Sequence, residues 1–208
     1  MKKMFVLGVI SLVSSTAMAA TTTYETRAVN NGVNNADYKA SWDAQTSAIT
    51  TQVLADFNDS KVPGNVSGGF SHLKIDFNTQ NSGSEWGFRL APDAGLGGAI
   101  YLDGIQIGKD TSDLWWDGNW NNASEIFSRV NLSVAAGNHV FEGYWVENCC
   151  NGGQGAQFTL NNGQNWQTTS NLASPAAVPV PATLWLFSSG LMGLMGYSRR
   201  KQGQSLVA

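Results

Sequence analysis

Gly98-Ala99-Ile100-Tyr101-Leu102-Asp103-Gly104-Ile105-Gln106-Ile107 decides the fold class. Two β-prone runs meet at an Asp-Gly pair, and that dipeptide suits the left-handed central positions of a two-residue hairpin turn. The stretch therefore reads as a hairpin. Upstream, Phe70 to Phe77 alternates, with Leu73, Ile75 and Phe77 on one side and His72, Lys74 and Asp76 on the other, as a half-buried strand does. Trp86, Phe88 and Leu90 repeat the pattern. Downstream, Ile126, Ser128, Val130, Leu132 and Val134 alternate against Phe127, Arg129, Asn131 and Ser133, and a turn at Ala136-Gly137-Asn138 leads into Val140 to Val146. Asn161-Asn162-Gly163 separates a last pair, Ala156 to Leu160 and Asn165 to Thr169. Short strands at this spacing predict an all-β, jelly-roll β-sandwich over residues 20–172. One stretch reads differently: Trp42, Ile49, Val53 and Phe57 fall at helical spacings, which predicts an amphipathic helix between Asp37 and Phe57.

Both ends of the chain read as addresses. Lys2 and Lys3, an apolar run from Met4 to Val13 and the small residues Ala17-Met18-Ala19 make up a secretory signal, so 1–19 is expected to be removed by signal peptidase after Ala19. That apolar run is about half of the ~20 residues a spanning helix needs. At the other end, the linker 173–181 contains Val178-Pro179-Val180-Pro181. It leads into Ala182-Thr183, an uncharged stretch from Leu184 to Ser198, and Arg199-Arg200-Lys201. The segment 182–201 is expected to lie in the membrane, with its basic end and the tail 202–208 in the cytoplasm by the positive-inside rule.

The two ends hold five of the 12 Lys and Arg and none of the 15 Asp and Glu, so the body carries 7 against 15, a net −8. Nucleic acid is thereby excluded as an expected partner, because phosphate binding needs a basic patch. Low charge with abundant Gly, Asn, Ser and Thr suits an exterior module.

The C-terminal residues Val178, Pro179, Pro181 and Ala182, with Arg199, Arg200 and Lys201 beyond the Gly- and Leu-rich stretch, resemble the PEP-CTERM sorting domains. They follow the variant in which the usual Glu is replaced, here by Val180. The resemblance implies recognition by an exosortase, cleavage near Pro179 to Pro181, and delivery from the membrane to the cell surface or an exopolysaccharide-associated matrix. Tyr101-Leu102-Asp103-Gly104, followed by Ala136-Gly137-Asn138-His139-Val140-Phe141-Glu142-Gly143-Tyr144, resembles the second half of PA14-type domains. Cys149-Cys150-Asn151-Gly152 resembles the CCxG motif of a group of PEP-CTERM proteins. PA14-type domains are β-sandwiches of adhesins and glycosidases that often bind carbohydrate, so a glycan-binding module is implied. The calcium-holding Asp-Asp pair of their lectin-like members is absent from this sequence, and no cofactor or metal is expected.

Two local features are candidates for a site. Cys149 and Cys150 are the only cysteines and are adjacent. In an oxidising exterior a disulfide is expected, and neighbouring Cα atoms ~3.8 Å apart are closer than the ~4.4 Å lower bound of ordinary disulfides. A rigid turn, a flat sulfur face lining a ligand site, and pairing between chains are all open. The second feature is Trp115, Trp116, Asp117, Asn119 and Trp120, where indoles sit among amide and acid groups as sugar-binding surfaces require. The same indoles could instead plug one end of the sandwich. Asp110, Asp113 and Asp117 miss the spacing of a calcium loop.

Catalysis has little support. Glu142 and Glu147 lie at odd spacing on one strand, so they point to opposite faces and cannot flank one glycosidic bond. Neither Gly-x-Ser-x-Gly nor His-Glu-x-x-His occurs. The expected function is a noncatalytic surface or matrix protein that binds polysaccharide or another surface component. A purely structural matrix protein is the alternative, and a carbohydrate-active hydrolase is a third.

Overall fold

The computed structural model describes residues 20–61 and 68–172. The signal-peptide, linker, membrane and tail segments expected from the sequence lie outside the described residues. Strands β1 (Thr21–Arg27), β2 (Thr50–Leu54), β3 (Gly69–Thr79), β6 (Gly98–Leu102), β7 (Ile105–Asp110) and β10 (Gly137–Glu147) form a six-stranded sheet ordered β2-β1-β3-β10-β6-β7. A second sheet, ordered β12-β11-β4-β9, comprises β4 (Gly83–Ala91), β9 (Phe127–Val134), β11 (Gly155–Thr159) and β12 (Gln167–Thr168). Two short strands, β5 (Asp93–Ala94) and β8 (Leu114–Trp115), pair separately. All of these pairings are antiparallel. The body is an all-β sandwich, as the hairpin and the alternating runs predict.

The alternating positions explain the core. Leu73, Ile75 and Phe77 of β3, Phe141 and Trp145 of β10, and Phe88 and Leu90 of β4 all sit in the cluster between the two sheets. Phe88 stacks on Phe141 across that layer with ring centroids 4.8 Å apart. At the Asp103-Gly104 turn both residues take positive φ, 52° and 77°, the requirement of the tight hairpin turn. Asp103 also fastens the hairpin to the neighbouring strand, accepting from Val140 N at 2.9 Å and contacting His139 Nδ1 at 2.7 Å.

Two local expectations need correction. The stretch between Asp37 and Phe57 is not one helix. A short helix, α1 (Tyr38–Asp43), capped by the Asp37 side chain on Ala40 N, ends at Ala44, and Thr50–Leu54 is an edge strand beside β1. The helical spacing there was coincidental: Trp42 and Phe57 are buried, while Ile49 and Val53 are exposed. Nor does Ile126 to Val134 keep one face inward. Phe88 pairs with Arg129 and Trp86 with Leu132, so β9 holds an extra residue near Asn131, whose φ is 58°. That bulge reverses the alternation, which brings Phe127 and Val134 both into the core.

On the outer face of the six-stranded sheet, α1 lays Tyr38 and Trp42 over Phe70, Tyr101, Tyr144 and Val146 as a second apolar layer.

Candidate functional site

Strand β10 carries both conspicuous glutamates, and they do face opposite sides. Glu142 lies under α1. Lys39 Nζ bonds both of its oxygens, at 3.0 and 2.8 Å, and Tyr144 Oη donates to it at 2.7 Å. His72 Nε2 stands 3.4 Å away, and its Nδ1 meets Glu25 at 2.9 Å. The His72 imidazole, followed by Lys39 and Tyr144, holds the Glu142 carboxyl down to about 2 despite its burial. Both oxygens are engaged beneath the helix, so this carboxylate fastens α1 to the sheet.

Glu147 ends the strand, and backbone donors from the loops hold it. Asn148 N and Cys149 N donate to Oε1 at 2.7 Å each, and Gly95 N donates to Oε2 at 2.8 Å. Asp93 of β5, 4 % exposed, accepts from Gly152 N. Burial pushes the Asp93 carboxyl up to about 6, and the Glu147 carboxylate beside it adds to the shift. The segment of Cys149, Cys150 and Gly152 is thus pinned at both ends by buried acids through main-chain hydrogen bonds. Cys149 and Cys150 are themselves exposed, with Cα atoms 3.8 Å apart.

The predicted Trp cluster divides. At β8 and the residue after it, Leu114 and Trp116 turn inward and Trp115 outward, 59 % exposed. Trp115 pairs with Asp93 across the short sheet. A Cβ on Gly152 would lie 3.4 Å from the Trp115 indole nitrogen and 3.1 Å from the Asp93 carboxyl, so the loops pack closely against this glycine. Trp115 and the Cys149–Gly152 segment therefore share one surface, a proximity that sequence spacing gave no sign of.

Trp116 is buried and packs against Trp120, their centroids 4.8 Å apart. Both lie over Gly155, where a Cβ would fall 3.0 Å from Trp120 and 3.4 Å from Trp116. Asp117 and Asn119 are exposed, but each turns an oxygen back to the loop, to Asn119 N at 2.8 Å and Asn121 N at 3.0 Å. They shape the turn while keeping their remaining polar atoms toward solvent. Among the described residues no group of three His, Cys, Asp or Glu could hold a metal ion.

The architecture is that of PA14-type domains. It superposes on the PA14 domain of the MpAFP antifreeze protein with a TM-score of 0.52 at 12% identity, covering 83% of this chain and 99% of that one. The A domain of epithelial adhesin 9 from Candida glabrata, solved with Galβ1-4GlcNAc, gives 0.50 at 7% identity, covering 78% of this chain and 92% of the other. Residues 177–201 match the model of the PEP-CTERM protein-sorting motif. No curated protein sequence matches the chain.

Proposed function

We propose that the chain is an exported surface or matrix protein whose noncatalytic sandwich binds polysaccharide through the loops at the end of β10. The observation that carries the reading is the junction of exposed Trp115 with the Cys149–Gly152 segment, set on buried Asp93 and Glu147. An exposed indole on a pinned loop offers a flat apolar face for a sugar ring at little ordering cost. Asp117, Asn119 and half-buried Trp120 extend the surface, with buried Trp116 packed against Trp120. The PA14-like fold and the 177–201 motif support this reading, because adhesin modules on exported chains meet glycans outside the cell. Catalysis is disfavoured: Glu142 is locked beneath α1 and Glu147 is saturated by main-chain donors.

In this reading, signal peptidase removes 1–19. The VPxPA-type motif, Val178-Pro179-Val180-Pro181-Ala182, presents the chain to an exosortase, while 182–201, ending in Arg199, Arg200 and Lys201, holds it in the membrane until cleavage and 202–208 stays cytoplasmic. Cys149 and Cys150, in the manner of the CCxG group, form a disulfide that stiffens the loop. Two measurements test this. The intact mass of the exported protein should fit a chain starting at Ala20 and ending near Pro179 to Pro181, with two thiols appearing only on reduction; a mass running to Ala208 contradicts the sorting. A glycan array should show retained ligand without shortened products. Binding to no glycan would leave a structural matrix role, and released sugars would make it a hydrolase.

A further inference from the structure

The outer face of the four-stranded sheet holds one cation in an unusual setting. Arg89 points outward from β4, and its guanidinium carbon lies 4.4 Å from the ring centroid of Trp120 and 4.4 Å from that of Trp166. The two indoles make no ring contact with each other, so the guanidinium stands between them. Gln157, the residue opposite Arg89 on β11, accepts from Nε at 2.8 Å and also from Nη2. The Trp120 carbonyl accepts from Nη1 at 3.4 Å. These contacts engage three of the five N–H donors a guanidinium carries, and no carboxylate among the described residues pairs with it. Burial lowers the group to about 10. Arg89, Trp120 and Trp166 are all only half-buried, so none of the three is sealed from solvent.

A pre-positioned guanidinium fork recognises carboxylate by paired charge-assisted hydrogen bonds, and indole walls beside it suit the C–H faces of a sugar. We propose that Arg89, walled by Trp120 and Trp166 and oriented by Gln157, is a subsite for the carboxylate of an acidic sugar unit, which makes a uronate-containing polysaccharide the ligand class. The inference rests on the glycan-binding reading and deepens it, because Trp120 belongs both to this subsite and to the loop that carries Trp115. Neutral sugars offer the free N–H groups of Arg89 only uncharged hydroxyl oxygens, which lack the charge and the paired geometry of a carboxylate. A bound carboxylate would supply the counter-charge that the body, with a net −8, does not place there.

The test is calorimetry of the exported protein with oligogalacturonate and with its fully methyl-esterified form, which keeps the ring and removes the charge. Binding of the acid should be at least about ten-fold tighter, the scale of a charged hydrogen-bond pair. Arg89→Gln should abolish the preference, and Arg89→Lys should restore only part of it, because an ammonium cannot span two oxygens. An unfolding midpoint for each Arg89 variant guards against misfolding, and Trp166→Phe, which keeps an aromatic wall, should keep the acid preference with affinity reduced a few-fold. Equal binding of both forms, or an acid preference that survives Arg89→Gln, overturns the subsite. If neutral glycans bind and acidic ones bind no better, the subsite fails and the glycan-binding reading stands; if nothing binds, both fail.

Discussion

Glu142 and Glu147 are both buried on one strand, yet their surroundings differ in kind. Glu142 is met by side chains, the Lys39 ammonium, the His72 imidazole and the Tyr144 hydroxyl. Glu147 is met by main-chain N–H groups and by a second acid, Asp93. Side-chain ion pairing under a helix is a means of holding layers together, whereas backbone-satisfied acids at a loop junction set the path of the loops. The same residue type thus serves the fold at one point of β10 and shapes a surface at the other.

The largest expected effect breaks the first environment. Glu142→Gln removes the counter-charge of Lys39 and should cost about 2 kcal/mol in denaturant unfolding at neutral pH, no more because Lys39 is exposed enough to rehydrate, with glycan affinity unchanged. A cost near zero would mean that α1 is held by its apolar layer alone.

pH separates the two environments by sign. Glu142, held at about 2 against an ordinary 4.5, contributes stability that is complete above pH 4.5 and is lost as pH falls toward 2. Asp93, raised from 3.8 to about 6, binds its proton more tightly when folded, so its contribution falls as pH rises from about 4 to 6. Asp93→Asn keeps an acceptor for Gly152 N and should remove that decline, raising stability at pH 7 by about 1–2 kcal/mol. If thermal unfolding of this variant follows the parent across pH 4 to 6, the Asp93 assignment is wrong.

A smaller effect probes the loop junction itself. Gly152→Ala places a methyl 3.1 Å from the Asp93 carboxyl and 3.4 Å from the Trp115 nitrogen, so the exposed loop must shift. Stability should fall by under about 1 kcal/mol, as at other surface positions, while glycan affinity falls several-fold. The opposite pattern, lost stability with intact binding, would place the site elsewhere.

Much of the fold was legible because it is written in local patterns. The Asp103-Gly104 turn and the alternation at Leu73, Ile75 and Phe77 need no knowledge of distant residues. The helix between Asp37 and Phe57 misled because apolar residues at helical spacing were assumed to be buried, and Ile49 and Val53 are not. At β9 the bulge near Asn131 changed the parity, a change that a strict period of two cannot represent. The site was less legible still. Its Trp and Cys residues stood out by type, but the meeting of Trp115 with Gly152, and of Arg89 with Trp120 and Trp166, joins segments far apart in sequence. Asp93 gave no signal at all, since one Asp beside a proline looks like a turn residue.

The most direct test of the account is equilibrium binding of the exported protein and its Trp115→Ala variant to the polysaccharide that the array selects. Trp115 is mostly exposed, so its loss should leave the unfolding midpoint within experimental error and reduce affinity at least about ten-fold, the scale of a stacked aromatic anchor. Unchanged affinity with an unchanged midpoint would contradict the claim that the loops at the end of β10 are the binding surface.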